Sequence, residues 1–414
     1  MERIILHSDL NNFFASVEAV INPEYGAPDK FIAVCGLEED RHGIVLAKNE
    51  NAKRAGVKTG DTIWQAKQKC PDIIIIPPHF DKYCHYSKIV REIYLEYTDE
   101  VEAFGMDECW LDVTRSTSLF GSGETIAQAI RKRVKKETGL TVSIGVSFNK
   151  VFAKLCSDLK KPDAVTIVNH NDFKDRLWKL PANNMLGVGS STYRTLERHG
   201  IFTIGDIART PEKYLEKWLG KNGYSLHTWA NGMDSSPVTP FDYTPSPKSI
   251  SHGVTCRSDL ENNEEANRIL LFLIDEISSK LRKNSMIASK ISVCVKNSKL
   301  ESCEYTHTLL TPTRSRDIIY KAASELFSSS YKWTNNVRSL CVRASKLVFD
   351  NEPVEIDLFT DTAKMEKLEK KDRTIDFLCK RYGKQAIMPA SLLSDIKLPH
   401  IINESLLPPA IKAR

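Results

Sequence analysis

Asp107 and Glu108 stand side by side in Gly105-Met106-Asp107-Glu108-Cys109-Trp110-Leu111-Asp112-Val113-Thr114, a stretch that otherwise reads as apolar strand. An ionised carboxylate removed from water needs a counter-charge, several hydrogen bonds or a metal ion. Alone, such a pair reads as a solvated hairpin tip, and a third acid within reach turns it into a site. Asp9 is that candidate, at the end of the strand-like Arg3-Ile4-Ile5-Leu6-His7-Ser8-Asp9. Three carboxylates make an oxygen-only ligand set for a hard cation such as Mg²⁺, which completes its shell with water and phosphate oxygens. Two such ions suit in-line phosphoryl displacement, one lowering the pKa of an attacking hydroxyl and the other holding a triphosphate. Lys53 or Arg54 and Lys160 or Lys161 are candidates to neutralise the remaining phosphate charge.

The surrounding pattern says how these residues are positioned. Phe13, Val17, Val20 and Ile21 recur at helical spacing, so Asp9 sits at a strand-to-helix junction that can face a cleft. Residues 13 to 78 read as a small Lys- and Arg-rich α/β insert closed by Pro77-Pro78. An amphipathic helix with Tyr86, Ile89, Val90, Ile93, Tyr94 and Tyr97 on one face then leads into the acidic hairpin. A helix over 122–138 stops at Gly139, and Thr141 to Val146 alternates as a half-buried strand. A helix from about Asn149 buries Val151, Phe152 and Leu155, and Ala164 to Val168 is a last strand. Without the insert, this order predicts an α+β fold: an antiparallel sheet with helices on one face, related to the split βαβ arrangement.

Beyond 170 the chain turns helical. Leu186-Gly187-Val188-Gly189 before a helix, with Gly200 and Gly205 beyond, reads as a helix-hairpin-helix whose Gly187 and Gly189 turn aims backbone N–H groups at a phosphate. Pro237, Pro240, Pro245 and Pro247 mark a linker. Residues 249–349 read as strands with helices near Glu264 to Lys283 and Arg316 to Ser328. They carry 15 Lys+Arg against 10 Asp+Glu, a surplus equal to the net charge of +5 of the whole chain. A basic α/β module suggests a grip on a nucleic-acid backbone. A charged helix spans Thr362 to Tyr382. The ten cysteines are scattered without any C-x-x-C pair, which argues against a zinc ribbon or a redox motif and for free thiols in a reducing cytoplasm. No apolar run approaches the length of a membrane span, so the expectation is a cytoplasmic protein that does not bind membranes.

Taken together, the motifs carry a resemblance. They are Asp9-Leu10-Asn11-Asn12-Phe13-Phe14-Ala15, Ala47-Lys48-Asn49-Glu50-Asn51-Ala52-Lys53, Gly56-Val57-Lys58-Thr59-Gly60, Met106-Asp107-Glu108-Cys109, and Gly145-Val146-Ser147-Phe148-Asn149-Lys150 running to Lys161-Pro162. In order and approximate spacing the chain resembles the Y-family, translesion DNA polymerases of the DinB/UmuC type over residues 1 to 350. The resemblance implies a right-hand architecture. A ferredoxin-like palm would take 1–12 and 79–168, small fingers 13–78, and a helix-hairpin-helix thumb 169–236. A linker over 237–248, an α/β little finger over 249–349 and a tail over 350–414 would follow. It also implies template-directed addition of deoxynucleotides to a primer 3′ end with low fidelity. Two Mg²⁺ ions would serve each active site, with Mn²⁺ able to substitute.

By motif position Asp9 and Asp107 would bridge both ions, Glu108 would bind the catalytic one, and the carbonyl of Leu10 would bind the nucleotide-side ion. Phe14 falls at the steric gate under the deoxyribose, although next to Phe13 it also reads as helix core; only one of two neighbours on a helix faces inward. Asn12, Phe13, Lys53 and Lys161 fall at triphosphate positions, and Ile44 and Leu46 at the roof of the nascent base pair. Glu355, Ile356, Leu358 and Phe359 lie in a pentapeptide similar to a sliding-clamp motif, with Glu355 where Gln is usual. The implied partners are primer-template DNA, a deoxynucleoside triphosphate and a sliding clamp, and the chain is expected to be a monomer. There are departures too. Asn11 stands where an acid is common, and Lys53 for Arg keeps the charge but loses bidentate geometry. Glu50, an acid near phosphates, is expected to point elsewhere. Two other readings stay open: a nucleotidyl cyclase on a similar acidic palm, and a non-catalytic DNA-binding scaffold.

Overall fold

The computed structural model describes residues 2–39, 41, 43–353, 361–383, 386–393 and 396–399. They fall into two compact units, one from Met1–Gly36 and Ile44–Tyr243, the other from Leu37–Gly43 and Thr244–Asn403. Glu355, Ile356, Leu358 and Phe359 lie outside the described residues.

The first unit contains strands β1 (Ile5–Leu10), β2 (Ile32–Cys35), β3 (Val45–Lys48), β4 (Ile74–Ile76), β5 (Val101–Ala103), β6 (Glu108–Asp112), β7 (Val142–Ser147) and β8 (Val165–Ile167). The main sheet has the order β5-β6-β1-β7-β8, and a smaller one has the order β3-β2-β4. Strand β1 is central and wholly buried, so its side chains alternate between two covered faces. Leu6 and Leu10 join a core with Val90, Ile93, Ile126 and Ile130, from helices Phe80–Leu95 and Gly123–Thr138. Both helices carry apolar residues at three- and four-residue spacing, and the second is capped by Ser122 and stopped by Gly139 at φ 74°.

Two expectations about this sheet need correction. The helices are not confined to one face, because Lys150–Leu159 covers the other. Gly145 makes this possible: a Cβ there would sit 1.9 Å from the Ala153 carbonyl oxygen and 2.5 Å from the Ser157 nitrogen. Strand β7 is therefore buried on both faces instead of half-buried, and it pairs parallel with β8 while the other main-sheet pairings are antiparallel.

Short helices from Phe173–Leu177 to Lys221–Ala230 pack around Leu196, Ile204, Ile207, Leu215 and Leu226. The chain from 237 onward begins as a strap. Val238 is buried with Ile5, Trp110 and Ala153, and the Thr239 N–H donates to Glu102 Oε2 at 2.9 Å.

The second unit is an antiparallel sheet of β9 (Ser249–Leu260), β10 (Met286–Asn297), β11 (Ser302–Thr313) and β12 (Val337–Phe349), in the order β11-β10-β12-β9. Helices Asn263–Lys283 and Arg316–Ser330 share its core, supplying Ile269, Leu273, Ile277, Ile319 and Phe327. Helix Thr362–Tyr382 has the expected bounds and is tied on by charge. Arg282 Nε donates to Asp376 at 2.6 Å and Arg314 Nε to Glu369 at 2.9 Å. No helix among the described residues is long and apolar enough to cross a membrane.

Candidate active site

The main sheet brings Asp9 and Glu108 together. They are direct register partners on β1 and β6, with Asp107 one residue before Glu108. The Leu10 N–H donates to the Asp107 carbonyl at 2.9 Å, which fixes the turn carrying the acids to the end of β1. Among the described residues no three His, Cys, Asp or Glu side chains stand close enough to hold a metal ion as they are. The expected triad is thus adjacent but not a closed cage, because ammonium groups hold two of its members. Lys161 Nζ donates to Asp9 Oδ2 at 2.7 Å, and to Asp158 at 2.8 Å. Lys154 Nζ donates to Glu108 Oε2 at 2.7 Å.

These contacts explain the electrostatics. Burial raises the Asp9 carboxyl to about 7, against the opposing pull of Lys161. Burial and then the charge of Glu108 raise Asp107. Burial also pushes Glu108 upward, but the His7 ring 3.5 Å away and the Lys154 ammonium outweigh it and hold the carboxyl at about 2. Close-set acids of which two resist ionisation are a site lacking positive charge, and their donors are all carboxylate oxygens. That combination fits a hard divalent cation.

An acid with a raised folded-state pKa costs stability once it is ionised, at pH above that pKa. Asp107→Asn is therefore expected to raise the Tm of the metal-free protein at neutral pH, and to lose that advantage in acid where both states are protonated. A neutral-pH Tm at or below wild type, read by calorimetry, would contradict the charge assignment.

The other expected residues divide by location. Phe13 is 3% exposed and belongs to the core, whereas its neighbour Phe14 is half-buried at the core's edge. The Phe14 ring stacks on Tyr83 at 4.3 Å and 11°. Tyr83 is fixed in turn by its hydroxyl, which donates to buried Glu18, a carboxylate that also binds His79 Nδ1 at 2.9 Å. Asn12 takes the left-handed conformation at φ 49° as the N-cap of helix Phe13–Ile21. Asn11 turns into the sheet instead of the site, donating to Ser143 Oγ at 2.9 Å. Lys53 pairs with Glu50 at 3.5 Å, so its ammonium answers the one acid of that helix. Ile44 is exposed and Leu46 half-buried, flanking the buried Val45 on the small sheet. Gly187 has φ 86°, and a Cβ there would lie 3.2 Å from Trp229. Gly189 caps helix Ser190–Arg198 without a side-chain hydrogen bond, leaving first-turn N–H groups free for an anion.

Sequence reasoning missed His7, Tyr83 and Lys154. The signal for Lys154 was present. Lys150 and Lys154 lie one turn apart on helix Lys150–Leu159 and Lys161 just past its end, and their partners are Glu102, Glu108 and Asp9 on three adjacent strands.

Comparison with known proteins agrees with this geometry. Residues 8–158 match the model of the impB/mucB/samB family, and residues 247–358 match that family's C-terminal domain. The chain is 46% identical to DNA polymerase IV of Acetivibrio thermocellus, over 97% of this chain and 100% of the relative. It is 35% identical to DNA polymerase IV 1 of Bacillus subtilis, over 94% and 93% respectively. Among solved structures, a Y-family DNA polymerase chimera of Dbh and Dpo4 aligns with a TM-score of 0.73 at 27% identity, over 84% of this chain and 99% of that one. A Dbh ternary complex aligns with a TM-score of 0.57 at 26% identity, over the same shares. The chain belongs to the impB/mucB/samB family, and with it to the Y-family of metal-dependent, DNA-directed DNA polymerases that act in translesion synthesis.

Proposed function

We propose that Asp9, Asp107 and Glu108 are the cation ligands of this polymerase, together with the carbonyl of Leu10, and that the cation is Mg²⁺ with Mn²⁺ as a substitute. The observation that carries the reading is the direct opposition of Asp9 and Glu108 on neighbouring strands, each held by its own lysine. Two bound ions would supply Lewis-acid stabilisation of the attacking and leaving oxygens. The residues of the chain do the rest. Lys161 exchanges Asp9 for the triphosphate, Lys53 adds charge from the small sheet, and the backbone at Asn12 and Phe13 offers helix N-terminal donors. Phe14 presses under the deoxyribose, and Ile44 with Leu46 covers the nascent base pair. Gly187 and Gly189 grip the DNA backbone.

In this reading the palm takes 1–12 and 79–168, the fingers 13–78, the thumb 169–236, the linker 237–248 and the little finger 249–349. The tail over 350–414 contacts a sliding clamp through Glu355, Ile356, Leu358 and Phe359. The protein works as a monomer in the cytoplasm.

Mn²⁺ binding, read by electron paramagnetic resonance, tests the ligand set. Two ions per chain are expected with primer-template and a non-hydrolysable nucleotide. Asp9 keeps its proton up to about 7, so a cation must displace that proton at lower pH. The affinity of the metal-free chain should fall about tenfold per pH unit below that point and level off above it. A flat affinity across the range would contradict the role of Asp9.

A further inference from the structure

His7 lies on β1 beside Glu108, with no exposure to solvent. Its Nδ1 is 2.8 Å from Ser157 Oγ, and its Nε2 is 3.5 Å from Glu108 Oε2. Trp110, its register partner, holds the ring edge-on at 5.2 Å. Nε2 has no hydrogen-bond partner among the described residues. A neutral imidazole carries one N–H and one lone pair, so one ring nitrogen must meet its neighbour as a donor and the other as an acceptor.

The two tautomers are not equivalent. With the proton on Nδ1, the Nε2 lone pair would face a carboxylate oxygen in a buried site, which is repulsive and leaves an acceptor unsatisfied. With the proton on Nε2, the ring donates toward Glu108 and the Ser157 hydroxyl donates into Nδ1. The Ser157 hydroxyl is also placed to donate to the Lys154 carbonyl at 2.7 Å, and giving its one proton to Nδ1 instead costs little because that carbonyl sits inside a helix.

We infer that His7 is a positioning residue for Glu108: Ser157 fixes the Nε2–H tautomer, and that N–H, together with Lys154, holds Oε2 so that the other carboxylate oxygen serves the cation. The inference rests on Glu108 being a cation ligand. His7 itself touches neither cation nor substrate. Partners that orient a metal ligand in this way typically change metal affinity by about 10- to 100-fold when removed.

Nitrogen-15 NMR of the metal-free, full-length protein reads the tautomer without turnover. A protonated Nε2 and a bare Nδ1 are expected, and a protonated Nδ1 overturns the assignment. The Mg²⁺ concentration for half-maximal primer extension should rise about tenfold in His7→Phe, with primer-template affinity unchanged. It should recover most of the way in His7→Gln, whose amide can donate to the same carboxylate. An unmoved Mg²⁺ requirement in folded His7→Phe overturns the inference. If that variant does not fold, Ser157→Ala replaces it, with a smaller shift in the same direction expected and no shift counting against the proposal. If the wild-type chain showed the Nε2–H tautomer but bound no divalent cation, the ligand reading would fail and not the tautomer.

Discussion

Replacing Asp107 or Glu108 with alanine is expected to lower primer extension by about three orders of magnitude or more, while leaving primer-template affinity within a factor of a few. The size follows from the several kcal/mol of transition-state charge stabilisation that metal ions supply, at about 1.4 kcal/mol per tenfold in rate. The separation from binding follows from position. Both acids sit at the tip of the β5–β6 hairpin, whereas the surplus of positive charge lies in residues 249–349. Glu108→Ala leaves the Lys154 ammonium without its carboxylate, so this variant should bind DNA no more weakly than wild type. Gel-based extension paired with fluorescence anisotropy reads both quantities. Extension within tenfold of wild type in either variant would remove these acids from the ligand set.

Phe14→Ala is expected to admit ribonucleotides, raising kcat/KM for a ribonucleoside triphosphate by about 100-fold or more relative to its deoxy counterpart. A close steric contact can discriminate by more than the roughly 1–3 kcal/mol that a single methylene is worth in a pocket, and a whole ring is removed here. The ring is held firmly enough to act as a gate because Tyr83 lies flat beneath it and is itself anchored to buried Glu18. Tyr83→Phe keeps the stacking and loses only the anchor, so it should relax sugar selection partially. Single-nucleotide incorporation with each sugar, assayed separately, measures the ratio. Unchanged selection in Phe14→Ala would assign the gate to another residue.

Much of this site was legible in the sequence because its elements are local. An apolar run ending in Asp9, and an acidic pair inside another apolar run, can each be read from a few residues. The helix over Thr362 to Tyr382 was readable for the same reason. The sequence also required one of Phe13 and Phe14 to face inward, but choosing between them needed the packed fold, in which Phe13 is buried and Phe14 only half-buried. What stayed hidden depends on contacts between distant residues. The second face of the sheet is covered because Gly145, with no side chain, admits the Ala153 backbone, and alternation within β7 cannot show this. Asn11 read as a charge lost from the site, yet it is a bracket between β1 and β7. The proline-rich stretch read as a linker, although Val238 within it is a core residue. Lys154 looked like one more solvated lysine until β6 placed Glu108 beside it.

The most direct measurement is incorporation of one nucleotide opposite a defined template base. A labelled primer is annealed in turn to four templates that differ only at the coding position, and each deoxynucleotide is supplied alone with Mg²⁺. The account predicts extension by one residue, chosen by the template base, abolished by chelation and by Asp107→Ala. Product formed from nucleotide without DNA would point to a cyclase. DNA binding without extension under any of the four templates would leave only a scaffold and contradict the central claim.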